Sequence, residues 1–196
     1  MFGIVNESNS ALALLKDLGL GEEQLSANLK ALAAADARYL RDLKINVGNV
    51  LGAASLTRKE AYLLALAVAA NEKNTVLQEA FGQFAEKEGA TDKEVAEVLS
   101  CMSLLNANNV YYRFRHFMHD EFYDNAQAGI RMSIMANPIL GKEFFELVSL
   151  VVSALNGCEL CVTSHEKTLV GQGTAKQRIL DAVRLGAVIR SLAVLI

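Results

Sequence analysis

Three segments of this chain carry the signature of a helix start. In each, a threonine is followed three residues later by glutamate or glutamine, and an apolar run comes next: Thr57 to Glu60, Thr91 to Glu94 and Thr174 to Gln177. In such a capping box, the two side chains bond backbone N–H groups that the first helical turn leaves free. Because the 196 residues include a single proline, few positions interrupt a helix once it has begun. We therefore predict an all-α protein.

The glycines and the proline predict where the helices end. We expect helix ends or turns at Gly52, Gly89, Gly157 and Gly173, and a break at Asn137–Pro138 before the next helix. The predicted helices span residues 10–18, 23–44, 57–71, 75–88, 92–107, 109–119, 140–155, 158–171 and 175–194.

The composition excludes several classes of protein. A net charge of −3 and a pI near 5.7 provide no basic surface for nucleic acid. The longest apolar runs, residues 61–70 and 147–155, are much shorter than the ~20 residues of a membrane span. An apolar content of 52% instead predicts burial in a core or between subunits, and we expect the same of the apolar C-terminal residues 185–196.

The cysteines indicate the compartment. Three is a low and odd number, which argues against a secreted scaffold held by disulfides. The first residues lack the basic and apolar regions of a secretory signal. We therefore expect a cytoplasmic protein, in which a closely spaced cysteine pair is catalytic or binds metal.

Residues 59–99 share a pattern with residues 142–182 at an offset of 83, which suggests an ancient duplication. At this offset the reactive side chains of the second segment align with others in the first: Glu146 with Leu63, Cys158 with Thr75, Cys161 with Gln78 and His165 with Gly82. The chain is then a single domain, residues 1–196, with a degenerate, non-catalytic half (1–100) and a half that carries the active site (101–196).

Cys158 and Cys161 form a closely spaced pair, and His165 follows Cys161 by one helical turn. The spacing allows the two sulfurs to close a disulfide and brings His165 to the face of Cys161. A helix should begin at Cys158, so free backbone N–H groups and the helix dipole would stabilise a thiolate there. A thiolate is the nucleophile that attacks a peroxide or a disulfide.

Glu146 interrupts an apolar run on the preceding helix, where an unpaired buried carboxylate would be costly. That helix folds back past the turn before Cys158, so Glu146 can reach the cysteine pair and accept a proton. We expect Glu146 and His165 to withdraw the proton of Cys161, whose thiolate attacks a hydroperoxide and becomes a sulfenic acid. Cys158 then resolves it, and an external dithiol reduces the disulfide, because the chain has no flavin or nicotinamide fingerprint.

The spacing of Glu146, Cys158, Cys161 and His165 is similar to the signature of the alkyl hydroperoxidase D family, within the carboxymuconolactone decarboxylase-like superfamily. Residues 108–113, 131–138 and 153–158 also look like family sequence in the same order, so the resemblance covers nearly the whole chain. One position departs from some members of the family: Leu160 stands where they have a second histidine. Glu159 adds a negative charge between the cysteines, which opposes thiolate formation.

The resemblance implies an all-helical homotrimer that reduces organic hydroperoxides and contains no bound cofactor. It implies that Cys161 is the peroxidatic cysteine and that Cys158 resolves it and donates a proton, with His165 as proton relay and Glu146 as general base. The implied partner is a peroxiredoxin of the alkyl hydroperoxide reductase C type. The implied reductant is dihydrolipoamide on a lipoyl-bearing subunit of a dehydrogenase complex, and neither nucleic acid nor a membrane is expected as a partner.

Other interpretations of the same residues stay open. Cys158, Cys161 and His165 are permissible zinc ligands, which would make the protein a zinc-stabilised helical binding module. The fourth-ligand candidate, Cys101, has apolar neighbours and is predicted to be a small core residue. The alternative enzymes are a thiol-disulfide oxidoreductase without peroxidase activity and a lactone decarboxylase of the same superfamily, which needs no paired cysteines.

Two further clusters are predicted to have no catalytic role. His116 and His119 are three residues apart but lack a metal-site motif around them, so we expect them at the surface or an interface. Packing in the core or between subunits is expected for four aromatic residues nearby: Tyr111, Tyr112, Phe114 and Phe117.

Overall fold

The structure is a computed structural model that describes residues 7–196, with side chains from residue 10 onward. The described residues form ten α-helices and no strand, so the prediction of an all-α fold is confirmed. The helices are α1 (Glu7–Asp17), α2 (Ala27–Ala34), α3 (Arg38–Leu51), α4 (Arg58–Asn71), α5 (Thr75–Lys87), α6 (Asp92–Met118), α7 (Glu121–Asn125), α8 (Lys142–Leu155), α9 (Glu159–Gly171) and α10 (Lys176–Ala193). Two short 3-10 helices lie at Glu22–Gln24 and Ser133–Met135.

The core forms around α4 and α8, which are apolar on nearly all sides. Residues 61–69 of α4 are all buried, and so are residues 147–153 of α8. A helix that is apolar all round must be covered by other helices. Helices α5, α6, α8 and α10 pack on α4, while α6, α9 and α10 pack on α8. The residues Leu185, Ile189 and Leu192 of α10 are fully buried, which confirms the prediction that the apolar C-terminal segment contributes to the core.

Two of the three capping boxes predicted from the sequence are present. The side chains of Thr57 and Thr91 accept hydrogen bonds from the backbone of Glu60 and Glu94, whose carboxylates bond back to the threonine N–H groups. The box predicted at Thr174 is wrong, because the N-cap of α10 is the next residue, Ala175. Thr174 is buried, and its hydroxyl donates to Glu143 Oε1 on α8 at 3.0 Å instead.

Three predicted helices are divided differently in the structure. The helix predicted at 23–44 is broken: α2 begins after its N-cap Ser26, and the chain turns at Asp36, whose φ of 44° lies in the left-handed region, before α3 begins. The helices predicted at 92–107 and 109–119 are one continuous helix, α6, because Asn108 and Asn109 are buried within it. Helix α6 therefore crosses the boundary between residues 100 and 101 that the sequence suggests for the two halves.

Two sets of three helices have matching starts. Helices α8, α9 and α10 each begin 84 residues after α4, α5 and α6, respectively. Helices α4 and α8 have 14 residues each, and α5 and α9 have 13 each. This spacing is one residue longer than the offset of 83 that the sequence suggests. The structural counterparts of the reactive residues are then Tyr62 for Glu146, Asn74 for Cys158, Leu77 for Cys161 and Phe81 for His165. Duplication as the origin of the two sets stays a prediction.

The aromatic residues near the end of α6 lie largely outside the core of the single chain. Phe114 is 46% exposed and Phe117 is 66% exposed, so packing in the core is the wrong prediction for these two. Their burial between subunits stays a prediction, as does the homotrimer. Within residues 7–196, we find no helix with the length and hydropathy needed to cross a membrane.

Candidate active site

The turn between α8 and α9 positions the cysteine pair. Gly157 adopts a φ of 68°, a left-handed conformation that glycine reaches without a steric penalty. The backbone N–H of Gly157 donates to the carbonyl of Ala154, and that of Cys158 donates to the carbonyl of Ser153, which closes the end of α8. Cys158 is the N-cap of α9, and Cys161 lies in its first turn. Both sulfurs therefore lie at the positive end of a helix dipole, as predicted.

Cys158 and Cys161 are joined by a disulfide bond, with their Cα atoms 5.3 Å apart. Cys158 is fully buried, whereas Cys161 retains 6% exposure. Cys161 is consequently the sulfur that a molecule can approach through the cavity described below.

Glu146 and His165 form a hydrogen-bonded pair beside the cysteines. His165 Nδ1 lies 2.7 Å from Glu146 Oε2, and both side chains are more than four-fifths buried. Because a carboxylate can only accept, Nδ1 carries the hydrogen in this contact. The lone pair of a neutral His165 then resides on Nε2, which is free to accept a proton from the cavity side. His165 is thus the hydrogen-bond partner that the buried carboxylate of Glu146 requires.

A cavity of about 380 Å³ adjoins Cys161 and His165. It lies between α6, α9 and the segment that precedes α8. Most of its wall is apolar and consists of Leu105, Tyr112, Met132, Met135 and Leu160. Two polar residues, Asn108 and Ser164, complete the lining. The cavity therefore fits a small molecule with an apolar body and few polar groups.

A network of asparagine side chains fixes the turn before Cys158. Asn109 on α6 donates to Ser153 Oγ at 2.9 Å, and Asn156 donates to Asn109 Oδ1 at 2.9 Å. Arg113 on α6 donates to the backbone carbonyl of Asn156. The sequence predicted a helix break at Asn108 and assigned no role to the side chains of Asn109 and Arg113. A polar pair on the apolar side of a helix was the signal that could have identified them.

Cys101 lies apart from this chemistry. It is fully buried on α6, which confirms that it is a core residue, and its sulfur is 3.4 Å from Ser149 Oγ. Burial raises the pKa of the Cys101 thiol to about 12, so it remains protonated and unreactive near neutral pH.

The histidines at the end of α6 and the charge between the cysteines are at the surface. His116 Nε2 is 3.7 Å from the carboxylate of Glu159, whose side chain is 78% exposed. Solvent therefore screens the negative charge that Glu159 adds beside the cysteines. Among residues 7–196, no three His, Cys, Asp or Glu side chains are grouped so that they could hold a metal ion, and the zinc-module interpretation gains no support.

Comparison with known proteins identifies the family. The model of the carboxymuconolactone decarboxylase family matches residues 123–194. Alkyl hydroperoxide reductase AhpD of Rhizorhabdus wittichii is 41% identical over 167 residues, which cover 85% of this chain and 95% of that protein. The AhpD proteins of Coxiella burnetii and Mycobacterium marinum are 39% and 36% identical and are covered over 89% and 92% of their lengths. This chain therefore belongs to the alkyl hydroperoxidase D (AhpD) family within the carboxymuconolactone decarboxylase superfamily.

Proposed function

We propose that this protein reduces organic hydroperoxides through a dithiol–disulfide cycle of Cys158 and Cys161. The observation that carries the proposal is the buried Glu146–His165 pair, which adjoins a disulfide at a helix N-terminus and an apolar cavity. The relatives named alkyl hydroperoxide reductase support the same reaction class.

The first step oxidises Cys161. His165 Nε2 accepts the thiol proton of Cys161, while Glu146 holds Nδ1–H and stabilises the imidazolium that forms. The Cys161 thiolate attacks the terminal oxygen of the hydroperoxide; an S–O bond forms and the O–O bond breaks. The departing alkoxide takes the proton from His165 and leaves as an alcohol. Cys161 is now a sulfenic acid.

The second step forms the disulfide. The sulfur of Cys158 attacks the sulfur of the Cys161 sulfenic acid, and the hydroxide leaves with the Cys158 proton as water. In the bonded form, the Cα atoms of Cys158 and Cys161 are 5.3 Å apart, within the usual range for a disulfide, so the fold accommodates the product of this step.

The third step needs an external dithiol, for which we propose dihydrolipoamide on a lipoyl-bearing subunit of a dehydrogenase complex. A thiolate of the dithiol attacks Cys161, because Cys158 is fully buried, and the Cys158 thiol is released. The second thiol of the reductant then displaces Cys161 and leaves as a cyclic disulfide. In this scheme no cofactor stays bound, and the reduced pair also regenerates a peroxiredoxin of the alkyl hydroperoxide reductase C type. A cytoplasmic homotrimer completes the proposal.

Peroxide turnover with dihydrolipoamide as the electron donor tests the proposal. We expect Cys161→Ser to abolish turnover, and we expect Cys158→Ser to trap a sulfenic acid or a mixed disulfide on Cys161 that mass spectrometry detects. Cys101→Ser is the matched control and should turn over at the parent rate, since that thiol is buried and protonated. Retained turnover in Cys161→Ser would overturn the assignment of the attacking cysteine.

The same cysteine pair would also serve a thiol-disulfide oxidoreductase without peroxidase activity. Disulfide reduction in the absence of any peroxide consumption would favour that function. A lactone decarboxylase is a weaker alternative, because its acid–base chemistry makes no use of a cysteine pair.

A further inference from the structure

Asn108 is a buried polar residue in the wall of the cavity beside Cys161. It lies on α6 and is 5% exposed. Its Nδ2 donates to Met132 Sδ at 3.4 Å, while its Oδ1 has no hydrogen-bond partner. Among the side chains that the structure describes, this oxygen is the one buried nitrogen or oxygen atom without a partner.

The orientation of the Asn108 amide follows from its neighbour. A thioether sulfur accepts hydrogen bonds but has no hydrogen to donate. Contact with Met132 therefore fixes Nδ2 on the sulfur and leaves Oδ1 as the unpaired atom. The adjacent residue Asn109 is in a different situation, since both ends of its amide are bonded.

An unpaired buried oxygen destabilises a protein, and such groups in native structures are frequently functional. Asn108 shares the cavity wall with Cys161 and His165, although its Oδ1 is itself almost inaccessible. A molecule bound there supplies the missing donor when a shift of the neighbouring wall side chains uncovers that oxygen. Five apolar residues form most of the remaining wall. The ligand that fits has an apolar body and one hydrogen-bond donor near the reactive sulfur.

We propose that Asn108 Oδ1 accepts a hydrogen bond from the terminal O–H of an organic hydroperoxide and thereby positions its outer oxygen for attack by Cys161. This inference rests on the proposed function and adds the residue that recognises the substrate. Asn108 neither gains nor loses a proton in this step. The S–O bond forms, the O–O bond breaks, and the proton from His165 goes to the departing alkoxide as described above.

The proposed hydrogen bond to Asn108 distinguishes two oxidants of the cysteine pair, a hydroperoxide and a disulfide. A hydroperoxide presents an O–H group, whereas a disulfide that exchanges with the cysteine pair presents none. Asn108 therefore contributes to oxidation by hydroperoxides and contributes nothing to thiol–disulfide exchange.

The test compares both reactions in the reduced protein. The second-order rate constants for oxidation by cumene hydroperoxide and by diethyl disulfide, which has no hydrogen-bond donor, are measured for the parent, Asn108→Leu and Asn108→Ala. We expect both Asn108 variants to lower the hydroperoxide constant by about tenfold or more, since a hydrogen bond in the cavity is lost. The disulfide constant should stay within about twofold of the parent value. Ser103→Ala, which removes an exposed hydroxyl from the same helix outside this cavity, is the control and should change neither.

The outcomes are distinguishable. An equal fall in both constants would show that Asn108 has only a structural role, and an unchanged hydroperoxide constant would show that it makes no contact with the substrate. Either result overturns the inference. If the parent itself fails to react with cumene hydroperoxide but exchanges with the disulfide, the proposed function fails, and this inference fails with it. The alanine variant keeps the test valid if leucine prevents folding, which circular dichroism checks.

Discussion

The α4–α5 pair and the α8–α9 pair have the same helix lengths, and each helix of the second pair begins 84 residues after its counterpart in the first. The two pairs differ in the residues at the start of their second helix. In the first pair, Asn74 caps α5 by accepting a hydrogen bond from the backbone N–H of Leu77 at 2.9 Å. In the second, Cys158 holds the N-cap position without a side-chain cap. Leu77 is fully buried in the core, whereas its counterpart Cys161 adjoins a cavity.

The difference shows what the helix pair contributes and what it does not. The left-handed residue before the second helix, Lys73 or Gly157, occurs in both turns, so the turn by itself creates no reactive site. The reactivity that we propose depends on the four side chains placed on this frame and on the cavity that α6 helps to form beside α9.

The largest effect is expected on stability in the first pair. Leu77→Ala should lower the free energy of unfolding by about 3 kcal/mol, because it leaves a cavity in the core. Cys161→Ala should cost about 1 kcal/mol or less, since it removes a smaller group. Urea unfolding of both variants in a reducing buffer measures the difference. Equal losses of unfolding free energy would show that Cys161 contributes as much to core packing as Leu77 does.

Glu146→Gln should lower kcat/KM for hydroperoxide by roughly 100-fold, since the amide can no longer stabilise a protonated His165. The helix content should not change, because glutamine has nearly the same shape. The matched control is Tyr62→Phe in the first pair, which removes the hydroxyl that accepts a hydrogen bond from Arg58 at 2.6 Å. Steady-state turnover should be unchanged in this control. A parent-like rate for Glu146→Gln would leave Glu146 with a structural role only.

The N-caps of α4 and α10 also differ, and substitutions at these two positions should have a moderate effect on stability. Thr57→Ala removes a capping box and should destabilise the protein by about 1 kcal/mol. Ala175→Ser supplies α10 with the cap that it lacks and should stabilise the protein by a few tenths of a kcal/mol up to about 1 kcal/mol. Thermal unfolding of the two variants measures both shifts. A loss of stability in Ala175→Ser would show that the start of α10 is held by contacts other than a cap.

The smallest effect concerns acid stability at the start of α4. Burial alone would raise the pKa of Glu60, but hydrogen bonds from Arg178 and from Thr57 lower it below the ordinary glutamate value. A lowered carboxyl pKa contributes stability above the ordinary value, and this contribution is lost as the pH falls through the lowered value. We expect Glu60→Gln to be less stable than the parent near neutrality, and we expect this difference in stability to narrow as the pH falls from the ordinary glutamate pKa through the lowered one. A stability difference that does not change with pH would show that the ionised carboxylate of Glu60 is not its cause.

The sequence predicted much of this arrangement, because local signals determine helix starts and side-chain spacing. Thr57 and Thr91 begin helices where the capping pattern predicts them, and the structure brings Glu146 to within hydrogen-bond distance of His165. Thr174 was mispredicted because a tertiary partner, Glu143, competes for its hydroxyl.

The cavity and its asparagines could not be predicted in this way. Asparagine favours turns in short peptides, so Asn108 suggested a break in the helix. The partners of the asparagine Nδ2 groups, Met132 and Ser153, are distant in sequence, so only the folded chain supplies these acceptors. The break at Asp36 was missed for the opposite reason, since alanines around it favour a helix and the left-handed turn depends on packing.

Because Cys101 is buried, the number of cysteines that an alkylating reagent labels indicates whether the chain is oxidised, reduced or unfolded. An alkylating reagent near neutral pH reacts with thiolates, so it should label neither cysteine of the bonded pair and should label that pair after reduction. Cys101, with its raised pKa of about 12, should stay unlabelled in both cases. A label on Cys101 therefore marks molecules that have unfolded, whether their pair is bonded or reduced. The number of labels in one alkylated sample would then separate native oxidised chains (none), native reduced chains (two) and denatured chains (one or three).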